Sequence, residues 1–96
     1  MEEIQFTRDG NKGAFRAMDN EEQIGEMVVG LDGSNLTVYH TEVSDKREGQ
    51  GLAKKMFHTM VDHARKEHLR IIPLCSFVQA QLKRNPAAYS DVWGHD

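Results

Sequence analysis

The 96-residue sequence has one cysteine, two prolines, one tryptophan and no apolar run approaching the roughly 18 residues of a membrane-spanning helix. A lone Cys75 cannot close an intrachain disulfide, so no disulfide framework supports the fold, and a reducing compartment suits the thiol. Positive charge is also scarce. Twelve Lys and Arg stand against 15 Asp and Glu, giving a net charge of −3 and a pI near 5.9. Such a balance provides no basic field for a nucleic-acid backbone or an anionic membrane, so neither is expected as a partner, and any anion site must be local. The opening residues MEEIQFTRDG lack a basic segment followed by an apolar one, which makes the cytoplasm the expected location. No repeat or linker divides the chain. A length of 96 residues leaves one hydrophobic core as the economical arrangement, so residues 1–96 are expected to form a single domain, as a monomer or weak dimer.

What is present reads in two periods. Short alternating segments at 4–8, 14–18, 23–31 and 36–43 are separated by the turn-forming clusters Asp9 to Gly13, Asp19 to Glu22 and Asp32 to Asn35, predicting a four-strand antiparallel meander. After Ser44 the period lengthens. Leu52, Ala53, Met56, Phe57, Met60, Val61 and Ala64 form one apolar stripe of a helix from about Gly51 to Glu67. The apolar run from Leu69 to Phe77 then reads as a buried fifth strand. The crossover rule places it parallel to the fourth. Val78 to Arg84 suits a short helix that must stop before Pro86, and the chain after Tyr89 is expected to be loosely held. The fold class is therefore α+β: a mixed sheet made of a four-strand meander, a helical crossover to a fifth strand, and a short C-terminal helix.

The segment between the fourth strand and the long helix, Val43-Ser44-Asp45-Lys46-Arg47-Glu48-Gly49-Gln50-Gly51-Leu52-Ala53-Lys54, is where chemistry is expected. Glycines allow turns closed to other residues. The unpaired amides of a helix start point outward along the positive end of its dipole, which suits phosphate. A glycine pair also serves as a plain connector. Here it sits where a strand feeds a helix, beside Lys46, Arg47 and Lys54. Two common phosphate loops are excluded: no G-x-x-x-x-G-K-[S/T] spacing occurs, and G-x-G-x-x-G fails at Lys54.

Gly49-Gln50-Gly51-Leu52-Ala53 resembles the pyrophosphate-binding motif [Q/R]-x-x-G-x-[G/A] of the GNAT acetyltransferase superfamily, with Gly51 and Ala53 at the small positions. Glu48 departs from the Gln or Arg usual there. Tyr39-His40-Thr41-Glu42-Val43, the glycine segment and Ile72-Pro73-Leu74-Cys75-Ser76-Phe77 are together similar to the signatures of a branch of small single-domain GNAT-like proteins. The resemblance implies a GNAT-like fold whose fourth and fifth strands part to admit acetyl-CoA. It also implies cofactor contacts from Gly49, Gln50, Gly51, Leu52 and Ala53; with Val43 and the neighbouring cations Lys46, Arg47 and Lys54, these are the expected cofactor-binding residues. An amine acceptor would enter from the far side.

Within that reading, Cys75 near the end of the fifth strand and His40 on the fourth are the candidate catalytic residues, both brought toward the thioester. Each has a plain alternative: cysteine packs as a small hydrophobe, and a strand histidine is often a hydrogen-bonded filler. His58, His63 and His68 lack the i, i+4 spacing of a helical metal pair, so no metal is expected. Tyr89 lies where such enzymes often keep a thiolate-protonating tyrosine, and packing is the favoured role for it here. The expected function is acetyl transfer from acetyl-CoA to a primary amine by direct attack. The competing class is a CoA or acyl-CoA binding module without turnover, and a third is a ligand-free interaction domain.

Overall fold

The computed structural model describes residues 2–93. Strands β1 (Glu2–Asp9), β2 (Lys12–Asp19), β3 (Glu22–Asp32) and β4 (Asn35–Val43) form the antiparallel meander, and β5 (Arg70–Pro73) lies parallel to β4. The sheet order follows the chain, β1-β2-β3-β4-β5. The three hairpins are tighter than the turn-former clusters suggested. Asp9 pairs with Lys12, Asp19 with Glu22 and Asp32 with Asn35, leaving only two residues in each turn. The first of each pair has positive φ: Gly10 at 62°, Asn20 at 57° and Gly33 at 60°. Such turns match the right-handed twist of the strands they join.

Helix α1 (Leu52–Glu67) buries Leu52, Met56, Phe57, Met60, Val61 and Ala64 against one face of the sheet, which supplies Phe15, Ala17, Met27, Val29, Leu31, Leu36 and Val38. Burying a side chain of this size is worth about 1.5–3 kcal/mol, so the stripe is the main term docking the helix, beside the exposed ion pair of Lys55 with Glu2 at 3.0 Å. Gly25 permits a close approach, because a Cβ there would sit 3.1 Å from the Met56 methyl. Among the described residues no helix covers the opposite sheet face; Arg16, Glu26, Val28, His40 and Glu42 alternate out onto it.

The C-terminal third differs from the expectation in two ways. β5 spans only Arg70–Pro73, and Ser76 and Phe77 already belong to helix α2 (Ser76–Arg84). An apolar run does not distinguish a buried strand from a buried helix start, and Phe77 is apolar because its ring packs edge-on to Phe57 at 6.5 Å. Cys75 is therefore the N-cap of α2 and not a strand residue. α2 ends at Arg84, ahead of Pro86, as expected. Residues 90–93 are held, not loose. Val92 is buried, its carbonyl accepts from the Ile71 N–H at 2.6 Å, and Asp91 pairs with Arg65 at 2.9 Å. Trp93 packs at the core edge and bridges to Ile71; residues 94–96 lie outside the described segment.

Candidate functional site

β4 is paired on both sides only over its first half. Asn35, Leu36, Thr37 and Val38 face Arg70, Ile71, Ile72 and Pro73, and there the parallel pairing ends. Proline has no N–H to continue a ladder. The N–H groups of Leu74 and Cys75 both donate to the Val38 carbonyl at 3.0 Å, turning the chain out of the sheet and into α2. From Tyr39 to Val43, β4 keeps its bonds to β3 but, among the described residues, pairs with no strand on the β5 side. A wedge opens between the two strands, with a backbone edge of β4 along one wall.

At the point of the wedge β4 carries a bulge. Val29 pairs with Val38 and Val28 with His40, so Tyr39 has no partner. An extra residue reverses which face the following side chains take. Leu36 and Val38 point to the helix side. After the bulge, Thr41 opposite Met27 and Val43 opposite Gly25 take that side, while His40 and Glu42 are turned to the open face.

At the wide end of the wedge, Ser44 bonds Ile24 at 2.9 Å and a 3₁₀ turn, Asp45–Arg47, leads into the glycine segment. Gly49 and Gly51 adopt φ of 83° and 76°, a region strained for other residues. Gly51 is the N-cap of α1, and its carbonyl accepts from the Lys55 N–H. No side chain caps the helix. Among the described residues, the N–H groups of Gly49 through Lys54 donate to no backbone carbonyl. They border a shallow depression of about 380 Å³ lined by Val43, Arg47, Glu48, Gly49, Gly51, Leu52, Ala53 and Lys54. Gln50 and Lys46 are exposed at its rim, and neither Lys46 nor Lys54 has an ion-pair partner among the described residues. Two other depressions have volumes of about 400 and 360 Å³, the first on the open face of β1 to β3 and the second beside the end of β4.

Not every expected residue is placed as the sequence suggested. The Arg47 guanidinium is already committed: it donates to Asp19 at 2.9 Å and lies 3.7 Å from Glu2 and 3.9 Å from Glu22. The Asp19 hydrogen bond holds Arg47 above its usual range. Arg47 thus ties the loop to the ends of β1 to β3 rather than offering a free cation. His40 and Cys75 do not converge. The Cys75 thiol, 8% exposed on the helix side, donates to the Thr41 hydroxyl at 3.4 Å; His40 is on the other face, 3.8 Å from Glu42. The bulge separates them. Its trace in the sequence is a polar histidine where the alternation Leu36, Val38 calls for a third core residue. Thr41 as the partner of Cys75 carried no such signal, because it depends on where the chain turns after β5. Tyr89 packs edge-on to Phe57 at 5.4 Å, with the Arg65 guanidinium 6.0 Å from its ring centre. Among the described residues no group of three or more metal-ligating side chains is gathered, and no helix is long and apolar enough to cross a membrane.

The class the geometry defines is an α+β protein whose mixed sheet parts between β4 and β5, with a bulge at the parting and a glycine turn of unpaired backbone N–H groups at its mouth. The sequence profile of the GCN5-related N-acetyl-transferase family matches residues 14–92. The chain belongs to that family, and acyl transfer is the family's chemistry. It is 34% identical over 82 residues to Protein NATD1 of Bos taurus, covering 85% of this chain and 66% of that protein. A GCN5-like protein from Staphylococcus aureus, solved by NMR, superposes with a TM-score of 0.67 at 31% identity, covering 96% of this chain and 89% of that one. A GNAT family acetyltransferase from Elizabethkingia anophelis with acetyl-CoA bound shares the fold, with a TM-score of 0.61 at 18% identity and coverage of 79% and 53%.

Proposed function

We propose that this chain transfers an acetyl group from acetyl-CoA to a primary amine by direct attack in a ternary complex. The observation that carries the reading is the run of unpaired N–H groups from Gly49 to Lys54 at the mouth of the wedge. Amides held at a helix N-terminus grip a pyrophosphate without side-chain help, and Lys46 and Lys54 add positive charge. The free edge of β4 offers backbone donors and acceptors to the amide-bearing arm of the donor, in the manner of an added strand.

Separation of His40 from Cys75 by the sheet fits two protons handled on two sides. The amine nitrogen, relieved of a proton on the open face by His40, attacks the thioester carbonyl carbon. As the C–N bond forms and the C–S bond breaks, the electron pair leaves with sulfur, the Cys75 thiol gives that thiolate a proton, and the second proton shed by the nitrogen on becoming an amide is passed through solvent to restore the Cys75 thiol. Backbone N–H groups at the bulge stabilise the oxyanion. A covalent route through Cys75 would need His40 next to the thiol, where Thr41 stands instead. The cytoplasm is the proposed setting, since Cys75 must remain a thiol.

Acetyl-CoA at 100 times its dissociation constant should add about 2.7 kcal/mol of stability, a Tm rise of roughly 10–20 °C for a domain this size. ATP and NAD should do much less. Thiol release with a panel of amines then tests turnover. No Tm shift with acetyl-CoA would overturn the assignment, and saturable binding without thiol release would leave a CoA-binding module.

A further inference from the structure

Among the described residues only Tyr39 and Leu74 are large hydrophobics left exposed, at 54% and 60%. They are neighbours in space: Leu74 donates to the carbonyl of Val38, the residue before Tyr39. Both lie where β4 and β5 part. Tyr39 is the unpaired residue of the bulge, and the edge of its ring is directed at Gly30 of β3. A Cβ at Gly30 would fall 2.9 Å from both the ring edge and the hydroxyl oxygen. Gly30 has no positive φ to require glycine. A strand glycine without a backbone reason marks a close approach, and here the approaching group is the aromatic ring. The protein thus gives up a side chain on β3 to seat a half-exposed ring edge-on against the open face, outside the core. His40 and Glu42 follow it along β4 on that face.

We infer that Tyr39 is the specificity-determining residue of the acceptor side, and that the acceptor is a primary amine carried on an aromatic or flat apolar body. The inference rests on the acetyltransferase reading above. The body stacks on the ring, and its ammonium lies toward the Glu42 carboxylate and His40, where the proton is removed. A polycation fits poorly. The adjoining depression is lined by Arg8, Lys12 and Arg16 against Asp9 and Glu26, and Glu26 is already paired with Arg16 at 3.2 Å. A second ammonium on the acceptor would meet like charge there.

The test is steady-state thiol release at saturating acetyl-CoA with 2-phenylethylamine and with spermidine. Wild-type protein should favour 2-phenylethylamine in kcat/KM. Tyr39→Ala should raise its KM about tenfold, the size of one aromatic contact, with kcat and the KM for acetyl-CoA unchanged. Tyr39→Phe should stay within about twofold. Gly30→Ala should reproduce the Tyr39→Ala defect by displacing the ring, while retaining the wild-type response of Tm to acetyl-CoA. An unchanged KM in Tyr39→Ala, or equal or better use of spermidine by the wild type, would overturn the assignment. If acetyl-CoA raises Tm yet no amine releases thiol, the enzyme reading itself fails, a result distinguishable from loss of the Tyr39 role alone.

Discussion

The two halves of β4 are made of similar residues and do different work. Asn35 to Val38 is hydrogen-bonded on both edges, and Leu36 and Val38 are fully buried. Tyr39 to Val43 is bonded on one edge, begins with a bulge, and leaves Tyr39, His40 and Glu42 exposed. The first half secures the crossover to β5; the second leaves polar backbone available. An unpaired strand edge beside a helix N-terminus is a liability in a protein with no use for it. Here it lies beside the glycine turn proposed to hold the acyl donor, so substitutions in the two halves should separate stability from activity.

The largest expected contrast is between Leu36→Ala and His40→Ala. The first empties a core position at 0% exposure and should lower unfolding free energy by about 2–5 kcal/mol. The second changes an exposed side chain and should shift stability by no more than about 0.5 kcal/mol while lowering kcat. Urea denaturation with matched turnover assays checks both. Comparable stability losses would show that the division of β4 is false.

Next comes the loop at the mouth. Gly51→Val forces a β-branched residue to φ 76°, and nothing lies within 4 Å of its Cβ, so the cost is in backbone conformation rather than packing. The strain is on the order of 1–3 kcal/mol, and the reshaped turn should weaken acetyl-CoA binding by about 100-fold or more. Calorimetric titration of the folded variant reads this; undiminished affinity would move the donor site elsewhere.

Cys75→Ala should lower kcat by about 100-fold, a typical general-acid contribution, and leave acetyl-CoA affinity within about twofold. Full turnover in the folded variant would reduce Cys75 to a packing residue. Mass spectrometry of wild type after acetyl-CoA alone separates the routes, because an acetyl group on Cys75 would favour the covalent one.

The smallest effect concerns the held tail. The Arg65 hydrogen bond keeps the Asp91 carboxyl below its usual range. A carboxyl with a lowered folded-state pKa contributes its stabilisation fully above the unfolded value near 3.9 and loses it as pH falls further through the folded value. The difference in Tm between wild type and Asp91→Asn should therefore be constant from about pH 7 to 5 and shrink below about pH 4. A difference that grew in acid would reverse the assignment.

Residue order alone was sufficient for the meander, the 16-residue helix, the crossover and the glycine turn, because each depends on local physics: alternation, a 3.6-residue stripe, turn formers and positive φ at glycine. The proline that closes α2 was legible for the same reason. Elements that depend on contacts between distant segments were not. An apolar run from Leu69 to Phe77 suits strand or helix equally, and only the bonds from Leu74 and Cys75 to Val38 decide that β5 stops at Pro73. Arg47 reads as a free cation until Glu2, Asp19 and Glu22 are brought to it by the hairpins. His40 and Cys75 appear convergent on two parallel strands until one extra residue in β4 turns them to opposite faces. A bulge is settled by the register of two strands together, and register is a property of their pairing rather than of either sequence.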